Sequence, residues 1–213
     1  MANTSRIGLI VYFVRHGRTE MNLRRLLQGQ SGYGLLPEGI QDAERAARRL
    51  AGKGITELYC SDQLRARQTA RILHRRLGIG GPIRHSLLLR EMDYGHSTGH
   101  PEPKIRRKYP RFRTDATFVF PGGESFQLVQ ARAFRWLGRL QRRHQEGRIV
   151  VVTHGGWLRT LFAGLRGKPL SACLYGTIPH GWVGTLAIPA TGGWKITLHP
   201  GVTIFSGRKT VIR

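Results

Sequence analysis

The first long apolar run, Ile7 to Val14, does not alternate with polar residues, and β-branched and aromatic side chains fill it. That pattern predicts a strand buried on both faces, as in a parallel sheet. A second run, Ile149 to Val152, has the same character, and a helical pattern follows it from Trp157 to Leu165. Between the two runs, Pro37 to Leu50 reads as a helix with Pro37 in its first turn. Ile40, Ala43, Ala47 and Leu50 share one face, and Gly52 and Gly54 end it. Ile55 to Cys60 predicts the next strand, and Ser61-Asp62 opens a helix over Gln63 to Leu77 with Ala66, Ala70, Leu73 and Leu77 as its apolar stripe. Gly78 to Pro82 breaks the chain, and Ile83 to Leu89 predicts a short strand. Glu124 to Glu146 is a long amphipathic helix: Phe126, Val129, Ala133, Trp136 and Leu140 face the core, while Arg132, Arg135, Arg139 and Arg142 lie on a solvent face. Trp182 to Ile188 and Trp194 to Leu198 predict a hairpin at the sheet edge. Val202 to Arg213 is left as a last strand or a tail.

The two buried runs end alike. The first leads into Arg15-His16-Gly17-Arg18-Thr19 and the second into Thr153-His154-Gly155-Gly156. The carboxyl ends of parallel strands are where open α/β folds build their sites. A lone histidine there is more often a hydrogen-bonded structural residue. Two strand–His–Gly units suggest instead two histidines facing each other across adjacent strand ends. Arg15 offers a planar fork of donors suited to phosphate, His16 a nucleophile or base, and Gly17 a backbone free to approach a ligand or to take positive φ. Arg65 falls near a helix N-terminus, where free N–H groups favour an anion. Arg67, Arg71, Arg75 and Arg76 read as solvated. His96 and His100 stand four apart, but Gly95 and Gly99 argue against a helix and no third ligand is evident, so no metal site is assigned.

Composition changes the picture in two respects. The 213 residues, 40% of them apolar, suffice for one domain with a sizeable core. The two cysteines, Cys60 and Cys173, cannot make a disulfide framework, and Cys60 ends an apolar run as a buried free thiol, which suits a reducing, cytoplasmic setting. The N-terminal run is too short for a signal peptide or a membrane span. Charge is extreme: 35 Lys and Arg against 12 Asp and Glu, a net of +23, with 29 of the cations arginine. Such a field attracts anions. A phosphorylated small substrate satisfies it, as does arginine bias on solvated faces; nonspecific nucleic-acid binding fits the charge, but no recognition motif supports it.

Five blocks, in order, resemble the histidine phosphatase superfamily, the fold shared by phosphoglycerate mutases and many small-molecule phosphatases. They are Arg15-His16-Gly17, Ser61 to Ala70, Leu89 to Gly95, Pro121-Gly122-Gly123-Glu124-Ser125 and Val152 to Gly155. The resemblance implies a three-layer α/β/α sandwich with a mostly parallel six-stranded sheet and one antiparallel strand. It also implies a single histidine phosphatase domain over residues 1–213 with a small inserted cap at 95–122. It gives His16 as nucleophile, Glu91 as proton donor with Asp93 merely nearby, and His154, Arg15 and Arg65 as the charge around the phosphoryl group. Thr19, Asn22, Gln28, Gly29 and Gly155 join Arg15 and Arg65 in binding substrate. No metal or other cofactor is implied.

The chemistry stands on its own terms. Cations around a phosphoryl group remove the repulsion felt by an incoming nucleophile. His16 must be neutral, with one nitrogen donating to a backbone carbonyl and the other free to attack. Glu91 would protonate the leaving oxygen and then activate water, although surrounding positive charge opposes its protonation. A protonated His154 completes the set. Mutases of the family resemble one another in Arg-His-Gly-Glu-Ser-x-x-x-Asn; here Arg18 and Thr19 replace Glu-Ser, Asn22 is kept, and only 138 positions separate the histidines. Both features favour a phosphatase over a mutase, and the complete catalytic set argues against a noncatalytic basic module. The basic segment Lys104, Arg106, Arg107, Lys108, Arg111 and Arg113 falls in the cap, where substrate specificity is expected.

Overall fold

The computed structural model describes residues 8–198 apart from 175, 191, 192 and 194. The sequence predicted for the far C-terminus, Val202 to Arg213, lies outside the described residues. Six strands form one sheet: β1 (Leu9–Arg15), β2 (Glu57–Ser61), β3 (Arg84–Ser86), β4 (Gly147–Thr153), β5 (Val183–Ile188) and β6 (Lys195–Leu198), in the order β3-β2-β4-β1-β5-β6. β3, β2, β4 and β1 pair in parallel; β5 runs against both β1 and β6, so it is the single reversed strand.

Both faces of the sheet are covered, which is why Leu9 to Val14 of β1 and Ile149 to Val152 of β4 are apolar without a break. Along β1, Leu9, Val11 and Phe13 point into one core and Tyr12 and Val14 into the other. The first core lies beneath α5 (Phe126–Arg143) and α6 (Gly155–Leu165), with Trp136, Trp157 and Phe162 around Phe13. The second lies beneath α2 (Pro37–Leu50) and α3 (Leu64–Leu77), which bring to it, besides Leu50 and Leu73, the small residues Ala46, Ala47, Ala66 and Ala70. Small side chains let α2 and α3 approach the sheet and each other closely. Buried Cys60 belongs to this core, and burial pushes its thiol up to about 12, so it is inert packing.

Two shorter helices complete the chain, α1 (Glu20–Leu23) and α4 (Glu102–Lys108). In place of the extended strand expected over Ile83 to Leu89, three residues pair with β2 and Leu87–Leu89 turn into a 3₁₀ helix. Ile40, expected in the core, is 46% exposed. The reason is a backbone contact at the start of α2. A Cβ on Gly39 would meet the Arg18 carbonyl at 2.1 Å, and one on Gly17 the Gly39 carbonyl at 2.1 Å. This contact turns Gly39, Asp42, Ala43 and Ala46 inward and leaves Ile40 outside. Gly17 is therefore small for the sake of α2, and its φ is not positive.

Candidate active site

The register of the sheet places the two motifs side by side. Arg15 is opposite Thr153, and the His16 N–H donates to the Thr153 carbonyl at 3.0 Å, so the chain leaves β1 and β4 at adjacent points. The imidazoles of His16 and His154 follow, with ring centroids 5.0 Å apart. His16 Nδ1 lies 2.7 Å from the Gly17 carbonyl, a contact only an N–H can make, so the proton is on Nδ1 and the lone pair on Nε2. Arg65 Nε sits 3.2 Å from that Nε2. Burial, then the neighbouring Arg65 and His154, hold His16 well below the usual histidine range. It is a neutral base whose Nε2 lone pair accepts from the Arg65 Nε–H at the edge of the site.

His154 is fully buried and neither ring nitrogen has a hydrogen-bond partner among the described residues. Burial first, then Arg65, Arg132 and Arg15, hold it too well below the usual range. The protonated His154 expected from the chemistry is thus not its state in the free protein, because three guanidiniums and a dry setting oppose a further charge.

His16 edges a cavity of about 210 Å³ that also takes in Arg15, Arg65, Glu91, Asn22, Gln28, Gly29 and Gly155, while the fully buried His154 stands behind His16 and does not line the cavity. Arg65, 1% exposed, is fixed by the carbonyls of Gly29 (2.7 Å) and Ser31 (3.0 Å) and by Gln63 Oε1 (3.2 Å). Arg15 donates to the Ile178 carbonyl, while its buried Nε has no partner. Desolvation lowers both guanidiniums to about 10, which still leaves them charged at neutral pH. Gly155 is small because a Cβ there would stand 3.2 Å from the Arg15 guanidinium.

Glu91 is held by its surroundings from both ends. Its Oε2 accepts from the Gly156 N–H at 3.1 Å, and its Oε1 from Trp157 N–H at 3.3 Å and Met92 N–H at 2.9 Å, so it caps the N-terminus of α6. Its own N–H donates to Gln63 Oε1, and its carbonyl accepts from Gln30 and Arg132. Asp93 instead accepts from the Gly95 N–H in a turn and does not line the cavity.

Thr19, expected among the substrate ligands, is buried and does not line the cavity. It caps α1, and its Oγ1 lies 2.9 Å from both Asn22 Oδ1 and Gln28 Oε1. The buried Gln28 Nε2 is left without a partner. Thr19 thus holds two residues that do reach the cavity. Arg132 is a second correction. Placed on a solvent face by helical periodicity, its side chain is 13% exposed; it pairs with Glu124 at 2.8 Å and donates to the carbonyls of Leu88, Arg90 and Glu91. The charged residues of α4, Arg106, Arg107 and Lys108, are exposed and line no part of the cavity. The far wall is formed instead by Leu26, Leu27, Tyr94 and Ile178, with Arg159 as a third cation. Sequence reading missed Arg159, Tyr94 and Gly156. Arg159 lies one turn beyond Gly155 on the same face of α6, and that spacing was the available signal. Among the described residues no cluster of His, Cys, Asp and Glu is arranged to hold a metal ion, and no helix is long and apolar enough to cross a membrane.

Comparison with known proteins gives a consistent picture. A family model described as histidine phosphatase superfamily (branch 1) matches residues 11–199. Phosphoglycerate mutase-like protein 4 of Arabidopsis thaliana is 37% identical over 159 residues, 71% of this chain and 69% of that protein. A probable phosphoglycerate mutase GpmB of Salmonella typhi is 34% identical over 168 residues, 76% of each chain. Among solved structures, YhfR of Bacillus stearothermophilus aligns with a TM-score of 0.82 at 29% identity, covering 92% of this chain and 98% of that one. A mycobacterial glucosyl-3-phosphoglycerate phosphatase bound to VO3 aligns with a TM-score of 0.79 at 28% identity, covering 89% and 98%.

Proposed function

The chain belongs to the histidine phosphatase superfamily, and we propose that it is a phosphomonoesterase that works through a phosphohistidine, without a metal, on a small phosphorylated metabolite. The observation that carries this reading is the fixed tautomer of His16: Nδ1–H bound to the Gly17 carbonyl, Nε2 unprotonated beside Arg65 and facing His154. In this reading Nε2 attacks phosphorus, the P–N bond forms as the ester P–O bond breaks, and Glu91 gives its proton to the leaving oxygen. Glu91, now ionised, takes a proton from water as water attacks the phosphohistidine and frees His16. Arg15, Arg65 and the Gln28 amide supply donors to the phosphoryl oxygens. Among the similar proteins, a glucosyl-3-phosphoglycerate phosphatase and a putative α-ribazole-5′-phosphate phosphatase support hydrolysis. The mutase-like relatives keep phosphoryl transfer as the second reading.

The test is a rapid alkaline quench after mixing with a labelled phosphomonoester. Label should appear on His16 as an acid-labile, base-stable phosphate, and a simple aryl phosphate should be hydrolysed in the presence of a chelator. Label on serine or aspartate would overturn the covalent route. Activity that needs a bisphosphate primer, and moves phosphate between carbons, would select the mutase reading.

A further inference from the structure

A second cleft, of about 450 Å³, lies beside His180, between the loop after β1, the outer side of α2 and the loop before β5. Arg18, Arg45 and Arg49 line it, and Asp42 is its one carboxylate. Asp42 is fully engaged. Its Oδ2 accepts from the Arg18 N–H (3.1 Å) and Nε (2.9 Å), and its Oδ1 from Arg18 Nη2 (3.2 Å) and from Arg45. Both guanidiniums are thereby oriented, while Arg18 Nη1 and Arg45 Nε have no hydrogen-bond partner among the described residues. Arg49, one turn after Arg45, has no acidic partner among the described residues. Like charges at that spacing repel. Three arginines against one carboxylate leave two positive charges in a concave site, which matches one phosphate-type dianion.

The site is also held in shape. A Cβ on Gly181 would stand 2.4 Å from the Asp42 carbonyl, so the loop wall is locked against α2. His180 closes the side toward the catalytic centre: its Nδ1–H donates to the His16 carbonyl at 3.1 Å, and its ring lies 5.3 Å from the His16 ring. None of the cleft's arginines lines the catalytic cavity.

We infer that this cleft is a second anion site, which takes a phosphate-bearing small molecule separately from the substrate in the catalytic cavity. Its volume admits an organic group beside the phosphate, and its contact with His16 through His180 sets a ligand there next to the nucleophile's backbone.

Calorimetric titration of the full chain at fixed ionic strength tests this, with phenylphosphonate, a dianion no phosphatase can hydrolyse, and with inorganic phosphate. The wild-type chain should take two equivalents of phenylphosphonate. Arg45→Gln/Arg49→Gln should take one and keep wild-type turnover of an aryl phosphate. Arg139→Gln/Arg142→Gln, an exposed pair on α5, should take two, which separates a built cleft from the general positive field. Arg49→Glu, whose parent side chain has no acidic partner among the described residues, repeats the loss if the double variant folds poorly. A second event at least tenfold tighter for phenylphosphonate assigns an organic phosphate, and equal affinities assign free phosphate. One equivalent in the wild-type chain, two in Arg45→Gln/Arg49→Gln, or an equal loss in both double variants overturns the assignment.

Discussion

Gly156→Ala isolates Glu91, the proposed proton donor. A Cβ at that position would stand 2.5 Å from Glu91 Oε1 and 3.3 Å from its Cδ, and its three nearest neighbours all belong to Glu91. Ordinary contact begins near 3.4 Å, so the carboxyl group must retreat by about 1 Å, giving up its bonds to the Gly156 and Trp157 N–H groups. A misplacement of about 1 Å costs on the order of 100-fold in rate, or about 2.7 kcal/mol, and sits within the ~10²–10⁴-fold range of general acid catalysis. The fold should hardly notice. Gly156 is helical and not at positive φ; alanine gains up to ~1 kcal/mol of helix propensity against a lost cap of about the same size.

The assay is kcat across phosphate esters of graded leaving groups, with Tm measured alongside. A nitrophenolate needs little protonation as it leaves, whereas an alkoxide needs it badly. Gly156→Ala should therefore lose about 100-fold on alkyl phosphates and only a few-fold on a nitrophenyl ester, with Tm nearly unchanged. An equal loss on both would show that Glu91 is not the proton donor. A collapse in Tm would show that the methyl is accommodated by moving α6 rather than Glu91.

Arg132→Met should lower stability by about 3–5 kcal/mol in urea unfolding, because it strands a half-buried Glu124 and uncaps three carbonyls; a change under 1 kcal/mol would return Arg132 to the solvent face. His16, His154 and His180 all have lowered pKa values in the fold, His180 to about 3. Below the unfolded value near 6.5 the unfolded chain takes up protons that the native one refuses, so stability is complete above that pH and falls beneath it, by about 1.4 kcal/mol per pH unit for each histidine. Urea midpoints that stay level between pH 7.5 and 5 would contradict this. Vanadate binding at pH 7 should be accompanied by uptake of about one proton, visible as a buffer-dependent calorimetric enthalpy, because an anion beside His154 favours its charged form; His154→Asn should abolish the uptake, and a buffer-independent wild-type enthalpy would leave His154 neutral in the complex.

The fold was legible wherever a core dictated the pattern. Ile7 to Val14 reads as a doubly buried strand because both faces of β1 are covered, and Pro37 to Leu50 as a helix because its termini carry their own chemistry. Short elements were not: β3 has three residues, too few for a period to show. At the site, the sequence exposed residues that stand directly after apolar runs, His16 and His154, and the resemblance added Glu91, inside the block Leu89 to Gly95. It could not expose residues whose role comes from tertiary approach. Arg132 falls on a charged stripe with Arg135 and Arg139, and nothing local says that one of the three meets the loop carrying Glu91. Gly156 looks like any glycine after a histidine until a carboxylate is placed 2.5 Å from where its Cβ would be. Thr19 was read as a ligand because it belongs to the motif, yet burial beneath Asn22 and Gln28 makes it their support.

The preference for arginine gains a physical sense inside the cavity. Arg15 and Arg65 are desolvated enough to fall to about 10. A lysine losing the same margin from its ordinary ~10.4 would come to about 8 and be partly uncharged near neutrality. The same desolvation, with the same guanidiniums nearby, keeps His16 and His154 neutral. One environment therefore yields two outcomes according to starting pKa: arginines that stay cationic and imidazoles that stay unprotonated in the free protein, which is what the proposed attack by His16 on a phosphate requires. Burial is the larger cause of the histidines' neutrality and the arginines add to it, so in the proposed reaction removing Arg65 would weaken phosphate binding and also remove part of what keeps protons off His16 Nε2. Its four bonds, to His16, Gly29, Ser31 and Gln63, fix the guanidinium where it does both. A lysine, with a point charge and no fork, would keep less of the charge and none of the geometry.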